Sequence, residues 1–129
     1  MRALIIETKG SPVTPNIRYV EDYPTPSPRP GELLVRTEAS SLNHLDLWVG
    51  RGLPGAEDFP RISGSDGCGR VEAAGDGVHP DWVGRRVIIN AAVPAPQAAH
   101  PDHAPALPML HMIGEASDGC HAEYFTVPA

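Results

Sequence analysis

The chain has 129 residues, of which 41% are hydrophobic and only 5% aromatic, and it carries a formal net charge of −6. This length suits one domain, 1–129, with a core packed largely by small aliphatic side chains. Lysine and arginine together number only 10 and form no basic cluster, which removes the electrostatic basis for binding nucleic acid.

The first third of the chain predicts three strands. The segment Arg2–Glu7 contains an apolar run that suits a strand but is too short for a signal peptide or a membrane span, so we expect a cytoplasmic protein. Ile17–Glu21 alternates in polarity and predicts a second strand, and Gly31–Ala39 predicts a third. Prolines at every second position from Pro24 to Pro30 predict an extended surface crossing between them.

The segment Asn43–Arg51 predicts the helix of this chain. Asp46 falls in its first turn, where a carboxylate is favourable, and Gly50 and Gly52 end it. The N-cap oxygen comes from one of three residues: Ser40, Ser41 or Asn43. We expect one apolar side formed by Leu42, Leu45, Val49 and Trp48.

The most informative segment is Pro60–Gly75, which contains the pattern G-S-D-x-x-G-x5-G. Its glycines suit left-handed or crowded backbone, where a side chain would clash. Arg70–Ala74 predicts a short strand that begins and ends at glycine bends, with Asp66 as a turn carboxylate. The glycines of the pattern are Gly64, Gly67, Gly69 and Gly75.

The second half of the chain predicts two more strands around an irregular loop. Gly84–Asn90 and Cys120–Pro128 are the strand candidates. Residues 91–113 are rich in proline and alanine without periodicity, and we expect a lobe-like irregular loop there. The two cysteines, Cys68 and Cys120, are expected to be buried thiols.

Several blocks resemble, in the same order, the N-terminal GroES-like catalytic domain of the medium-chain dehydrogenase/reductase superfamily, which includes zinc-type alcohol dehydrogenases and quinone oxidoreductases. The resemblance implies a mostly-β fold, a partly open GroES-like β-barrel with one or two short helices. The blocks are Pro28–Val35, Ser41–Gly52, Pro60–Gly75, Val83–Val87 and Gly119–Tyr124.

The resemblance also implies that this chain is zinc-independent. Zinc members carry a Cys where Asn43 stands and a His where Ser65 stands, and neither asparagine nor serine offers the thiolate or imidazole that zinc prefers. The lobe that holds four cysteines in zinc members has none here. It has His100, His103 and His111 instead, for which we expect no physiological metal, although adventitious binding stays open.

No Rossmann unit is present in the sequence, because its clustered glycines do not follow a buried strand and open a helix. The resemblance implies NAD(P) for the full-length family but no cofactor bound by this chain alone, and so no hydride transfer by it alone. It implies a partner: a separate Rossmann-domain polypeptide, or a homodimer that covers the strand edges left open.

By resemblance, the cleft holds Asn43, Asp46, Ser65 and Asp66 as catalytic positions, His44 near the cofactor phosphates and Trp48 toward the substrate. Each of these assignments has an alternative. His44 would be an exposed histidine at the helix start and Trp48 a core residue, while Asp46 and Asp66 would have structural roles. The leading hypothesis is the substrate-side domain of an NAD(P)-dependent oxidoreductase. The other is a stand-alone GroES-like module that binds a partner and catalyses nothing.

Overall fold

A computed structural model describes residues 1–54, 56, 58–94 and 110–129. Within them the chain is mostly β, with one α-helix, as the sequence predicts. None of the helices in these ranges has the length and apolar character that crossing a bilayer requires. The elements in chain order are β1 Ala3–Ile6, β2 Ile17–Val20, β3 Glu32–Ser41, α1 His44–Arg51, β4 Arg61–Ile62, β5 Asp66–Ala74, β6 Arg86–Ile88, β7 Ala92–Pro94, β8 Leu110–Met112 and β9 Tyr124–Pro128.

The described strands pair antiparallel in three sheets. The largest has the order β6-β5-β3-β9, the second has the order β2-β1-β4, and β7 pairs with β8. The long strand β3 lies at the centre of the largest sheet, with its first half against β9 and its whole length against β5. Two register shifts in the β3–β5 ladder mark bulges, which bend these strands around the core.

The core forms where the strands of the largest sheet turn alternate residues inward. Leu33 and Val35 of β3 are buried, as the alternation in that segment predicts, and they pack with Val71, Phe125 and Val127. Burial of each large apolar side chain contributes about 1.5–3 kcal/mol. A second group, around Ile5 and Ile62, fills the space beneath the three-stranded sheet.

The glycine-rich strand is longer than predicted. β5 begins at Asp66 rather than Arg70, so Gly67 and Gly69 lie inside the strand and Asp66 is not a turn residue. These two glycines do not bend the strand. They are required because neighbouring strands lie too close to leave room for a side chain. A Cβ at Gly67 would lie 2.6 Å from Cys120 Sγ, and one at Gly69 would collide with Arg36 O.

The expectation of an irregular loop over 91–113 is wrong at both ends. β7 and β8 pair in register, with Val93 opposite His111. Val93 and Ile113 are buried in the main core, which gives the ends of this segment an apolar reason to be ordered. The middle of the segment, 95–109, lies outside the described residues, and His100 and His103 lie there with it.

Helix α1 begins one residue later than predicted, because Asn43 is its N-cap rather than its first residue. Its apolar side is also narrower than expected. Val49 is fully buried and Leu45 is half-buried, but Trp48 is 49% exposed. Leu42 is 84% exposed, because it precedes the helix and helical spacing therefore does not place it on the apolar side. The helix ends at Gly52, whose φ of 100° is left-handed.

Candidate functional site

The predicted cleft residues converge at one end of the largest sheet. The β3–β5 ladder places Ser41 opposite Asp66, and the chain then enters α1 through Asn43. The end of one strand, the start of the next and the N-terminus of the helix therefore meet at one point. Of the six predicted site residues, the structure connects Asn43, Asp46 and Asp66 by hydrogen bonds or a shared partner, and it places His44 on the same helix.

Asn43 is held at both ends of its amide group. Its Nδ2 donates to Asp66 Oδ2 at 2.7 Å, and its Oδ1 accepts from the backbone N–H of Leu45 at 3.0 Å. These two bonds fix the orientation of the amide plane. Each side-chain amide nitrogen carries two hydrogens, and the second one of Asn43 has no acceptor among the described residues.

Asp46 acts as a bridge between the helix and the glycine-rich segment. Its Oδ2 accepts from the N–H of Asn43 at 2.8 Å and completes a capping box, while its Oδ1 accepts from the N–H of Gly64 at 2.9 Å. Both carboxylate oxygens are thus used by backbone donors. These bonds hold Asn43 and Gly64 in place relative to each other, and a catalytic role of Asp46 stays a prediction.

Ser65 lies behind the cleft surface. It is 2% exposed, and its Oγ has no hydrogen-bond partner within the part of the chain that the structure describes. The preceding residue, Gly64, turns the chain with a φ of +105°, which carries Ser65 inward. Leaving a buried hydroxyl unpaired costs about 1–3 kcal/mol, so this atom is a candidate contact for a group that enters the cleft.

His44 and Trp48 form an exposed aromatic pair on the outer face of α1. Their ring centroids are 4.9 Å apart with an interplanar angle of 39°, as the i,i+4 spacing of a helix allows. Trp48 is 49% exposed, so the alternative of a core tryptophan is wrong, and its role toward a substrate stays a prediction. Both rings are accessible to a ligand or to a second domain.

His121 is a buried polar residue that the sequence reasoning missed. Its Nδ1 lies 3.2 Å from Ser63 Oγ, and its Nε2 lies 3.3 Å from the carbonyl oxygen of Ser41. A carbonyl only accepts, so Nε2 carries the hydrogen and the Ser63 hydroxyl donates to Nδ1. His121 therefore ties β3 to the chain before β9 behind the cleft. No spacing in the sequence signals this contact, because it depends on two strands meeting.

Cys120 packs against the glycine-rich segment at Gly64. It is fully buried, and its thiol donates to the carbonyl oxygen of Gly64 at 3.2 Å. Burial raises the pKa of the Cys120 thiol from its ordinary value of 9.0 to about 12. Cys68 is only half-buried, so the expectation of a buried thiol holds for Cys120 alone.

The raised pKa of the Cys120 thiol predicts that the folded protein loses stability in alkali, and that this loss comes from the one thiol. Below pH 9 the thiol is protonated in both states. As the pH rises from about 9 to about 12, the unfolded thiol ionises while the folded one keeps its proton, so stability falls. Relative to its value at pH 8, the unfolding free energy of the native chain should fall about 2 kcal/mol further at pH 10.5 than that of Cys120→Ala. Parallel pH profiles in urea unfolding would contradict this.

The donor set of the cleft does not fit zinc. Catalytic zinc takes three protein ligands drawn from thiolate, imidazole and carboxylate groups. Asn43 offers an amide already bonded at both ends, and Ser65 offers a buried hydroxyl. Among the described residues, no three His, Cys, Asp or Glu side chains are grouped to hold a metal ion. His111, the one lobe histidine that is described, lies half-buried on β8.

Comparison with known proteins agrees with this architecture. Residues 29–129 match the sequence profile of the alcohol dehydrogenase GroES-like domain. A zinc-type alcohol dehydrogenase-like protein of Schizosaccharomyces pombe is 34% identical over 84% of this chain and 31% of its own length. A quinone oxidoreductase of Pseudomonas aeruginosa is 40% identical over 57% of this chain and 22% of its own length.

Solved structures show the same fold as part of larger chains. A crystal structure of an NAD-dependent alcohol dehydrogenase superposes with a TM-score of 0.80 at 33% identity, over 99% of this chain and 37% of that one. A cobalt- and zinc-bound thermostable alcohol dehydrogenase from Pyrobaculum aerophilum superposes with a TM-score of 0.81 at 32% identity. The superposition covers 100% of this chain and 39% of that one. This chain spans less than two fifths of the length of each of these relatives. It belongs to the alcohol dehydrogenase GroES-like domain family of the medium-chain dehydrogenases and reductases.

Proposed function

We propose that this chain is the substrate-side domain of a zinc-independent, NAD(P)-dependent medium-chain oxidoreductase of the alcohol dehydrogenase or quinone reductase kind. On this proposal it does not transfer hydride alone and requires a Rossmann-domain polypeptide. The observation that carries the proposal is the Asn43–Asp66 hydrogen bond, which occupies the place where zinc members put a thiolate ligand. A cleft built on an amide and a carboxylate suits a reaction driven by hydrogen bonds rather than by a metal.

In the proposed reaction, the cofactor supplies or accepts the hydride, and this chain supplies orientation and polarity. The free N–H of the Asn43 amide donates to a carbonyl or quinone oxygen and stabilises the negative charge that develops there. Asp66 lies exposed at the start of β5 and keeps the amide facing that oxygen. Asp46 positions Asn43 from behind, and Ser65 offers its unpaired hydroxyl to the bound group.

The proposed cofactor contact lies on the outer face of α1. Two of the structural neighbours were solved with NADH and with NADP, over chains of which this one spans about a third. His44 is exposed at the first position of the helix, whose N-terminal end carries partial positive charge, and its ring N–H would donate to a phosphate there. Trp48 lies one turn further, where it would face the substrate.

We place this function in the cytosol. Cys68 and Cys120 are both free, which suits a compartment that keeps thiols reduced.

The test is cofactor binding by the chain alone and in complex. We expect isothermal titration of NADPH into the isolated chain to give no binding heat. The complex isolated from the native host should contain a cofactor-domain polypeptide and bind NADPH. In that complex His44→Ala should weaken NADPH binding about ten-fold, because it removes one charge-assisted contact. His79→Ala is the matched control, because that histidine is also exposed but lies on the 3₁₀ turn near Trp82.

Two results would overturn the proposal. Tight NADPH binding by the isolated chain would remove the need for a second domain. A native-host preparation that contains this chain with no cofactor-domain polypeptide would favour the alternative, a GroES-like module that binds a partner without catalysis.

A further inference from the structure

His121 is a buried residue that contacts several parts of the chain at once. Its backbone N–H donates to Ser63 O at 3.0 Å, and its backbone O accepts from the N–H of Leu4 at 2.8 Å. In the side chain, Nε2 donates to Ser41 O at 3.3 Å, and Ser63 Oγ donates to Nδ1 at 3.2 Å. The ring also packs on Gly64, where an added Cβ would lie 2.9 Å from ring atoms Cγ and Cδ2. The imidazole is therefore held in one position and orientation.

The Ser41 carbonyl is the contact of His121 that reaches the cleft. β9 pairs with β3 only as far as Arg36, whereas the ring of His121 holds β3 at Ser41, its last residue. Ser41 lies opposite Asp66 in the β3–β5 ladder and two residues before Asn43. The hydrogen bond from Asn43 Nδ2 to Asp66 Oδ2 therefore depends on where Ser41 lies.

The other contacts of His121 hold the opposite wall of the cleft. Ser63 and Gly64 precede Ser65, whose buried hydroxyl has no partner among the described residues. The N–H of Gly64 donates to Asp46 Oδ1 on the helix. One ring thus connects the glycine-rich segment to the end of β3 and fixes the distance between them.

We infer that His121 is the positioning residue of the cleft, and that through the carbonyl of Ser41 it holds the Asn43 amide against Asp66. Its effect on the rate rests on the proposed function, because in that reaction the Asn43 amide stabilises the developing negative charge. A misplacement of about 1 Å can lower a rate about 100-fold. Release of the end of β3 should therefore slow the reaction although no reacting group is changed.

Asparagine and glutamine each reproduce one nitrogen of the imidazole. The glutamine amide reaches the position of Nε2 and can donate to Ser41 O, whereas the asparagine amide ends near the position of Nδ1 and can accept from Ser63 Oγ. His121→Gln therefore keeps the contact to the cleft, and His121→Asn loses it. Each variant gives up one hydrogen bond, so the pair separates positioning from a general loss of stability.

The test is the NMR spectrum of the isotope-labelled chain, which requires no cofactor and no partner. In His121→Asn, the Asn43 amide hydrogen that is bonded to Asp66 should move most of the way to its shift in the urea-unfolded chain. In His121→Gln it should stay close to its native shift. Thr37→Val is the control, because Thr37 Oγ1 also ties β3 to the same segment, by donating to Ala122 O, but not at the end of β3. It should lower the unfolding free energy and leave the Asn43 resonance unchanged.

The native chain provides a second test that no folding defect can obscure. The contact with Ser41 O requires the His121 tautomer with its hydrogen on Nε2, and the nitrogen shifts of the ring distinguish the two tautomers. A ring with its hydrogen on Nδ1 would overturn the inference. So would an Asn43 resonance that shifts equally in His121→Asn and His121→Gln, or that shifts in neither.

The proposed function adds a kinetic measurement. In the native-host complex, His121→Asn should lower kcat for NADPH oxidation about ten-fold or more and leave the KM for NADPH unchanged, since the proposed cofactor contact lies on the outer face of α1. His121→Gln should restore most of that rate. An active complex with the same kcat in the native chain and in both variants would contradict the positioning role. A native complex that oxidises no NADPH contradicts the proposed function instead, and the Asn43 resonance then decides the role of His121.

Discussion

Gly69→Ala should destabilise this protein by about 4 kcal/mol or more, or prevent folding altogether. A Cβ at this position would collide with the carbonyl oxygen of Arg36 on the paired strand and would lie 2.8 Å from Val35 Cγ1. The first obstacle is backbone in the middle of the largest sheet, so no rotamer change relieves it. Strands β3 and β5 would have to separate where Gly69 lies opposite Thr37, beside the carbonyl of Arg36.

Gly77→Ala is the matched control for this experiment. Gly77 has a φ of +80° but nothing within 4 Å of an added Cβ, so only the conformational cost of about 1–2 kcal/mol applies. Urea unfolding, monitored by circular dichroism, measures the loss of unfolding free energy in both variants. Equal losses in the two variants would mean that close strand approach is not what requires glycine at 69.

Asp46→Ala should cost about 3 kcal/mol of unfolding free energy. It removes two charge-assisted hydrogen bonds, to the N–H groups of Asn43 and Gly64, each of which contributes about 1.5–3 kcal/mol, although part is regained through solvation. It also separates the helix N-terminus from the glycine-rich segment. Asp46→Asn keeps one acceptor oxygen and should fall between the native chain and the alanine variant.

Asp81→Ala is the control, because that carboxylate is 70% exposed and lies 3.6 Å from the equally exposed His79 ring. We expect a change within about 0.5 kcal/mol there. Amide hydrogen exchange separates positioning from general destabilisation. In Asp46→Ala the Gly64 amide should lose protection before the amides of β3 do, and a uniform loss across the sheet would contradict the bridging role.

The predictions from sequence were most reliable where the strand period acts locally. The alternation of β3 predicts Leu33 and Val35 as core residues, and the structure confirms both. The start of α1 was left open among three N-cap candidates, of which the structure selects Asn43. The convergence of Asn43, Asp46 and Ser65 was available only from the resemblance. These residues are brought together by strand pairing, which local pattern does not encode.

The errors share one physical cause, which is that tertiary packing overrides local propensity. Gly67 and Gly69 suggest a bend locally, yet neighbouring strands keep them extended because only glycine fits there. The segment before Pro94 and after Leu110 lacks periodicity, yet burial of Val93 and Ile113 orders it. His121 has no local signature at all, since its partners lie 58 and 80 residues away.

The zinc-independent reaction is tested most directly by NADPH oxidation in the native-host complex after dialysis against a strong zinc chelator. The rate is measured with a quinone and with an aldehyde as acceptors. If Asn43 and Asp66 carry out their role through hydrogen bonds, the complex should keep its full rate with at least one acceptor after chelation. The isolated chain should show no NADPH oxidation with either. Loss of activity on chelation with recovery on adding zinc, or NADPH oxidation by the isolated chain, would contradict the account.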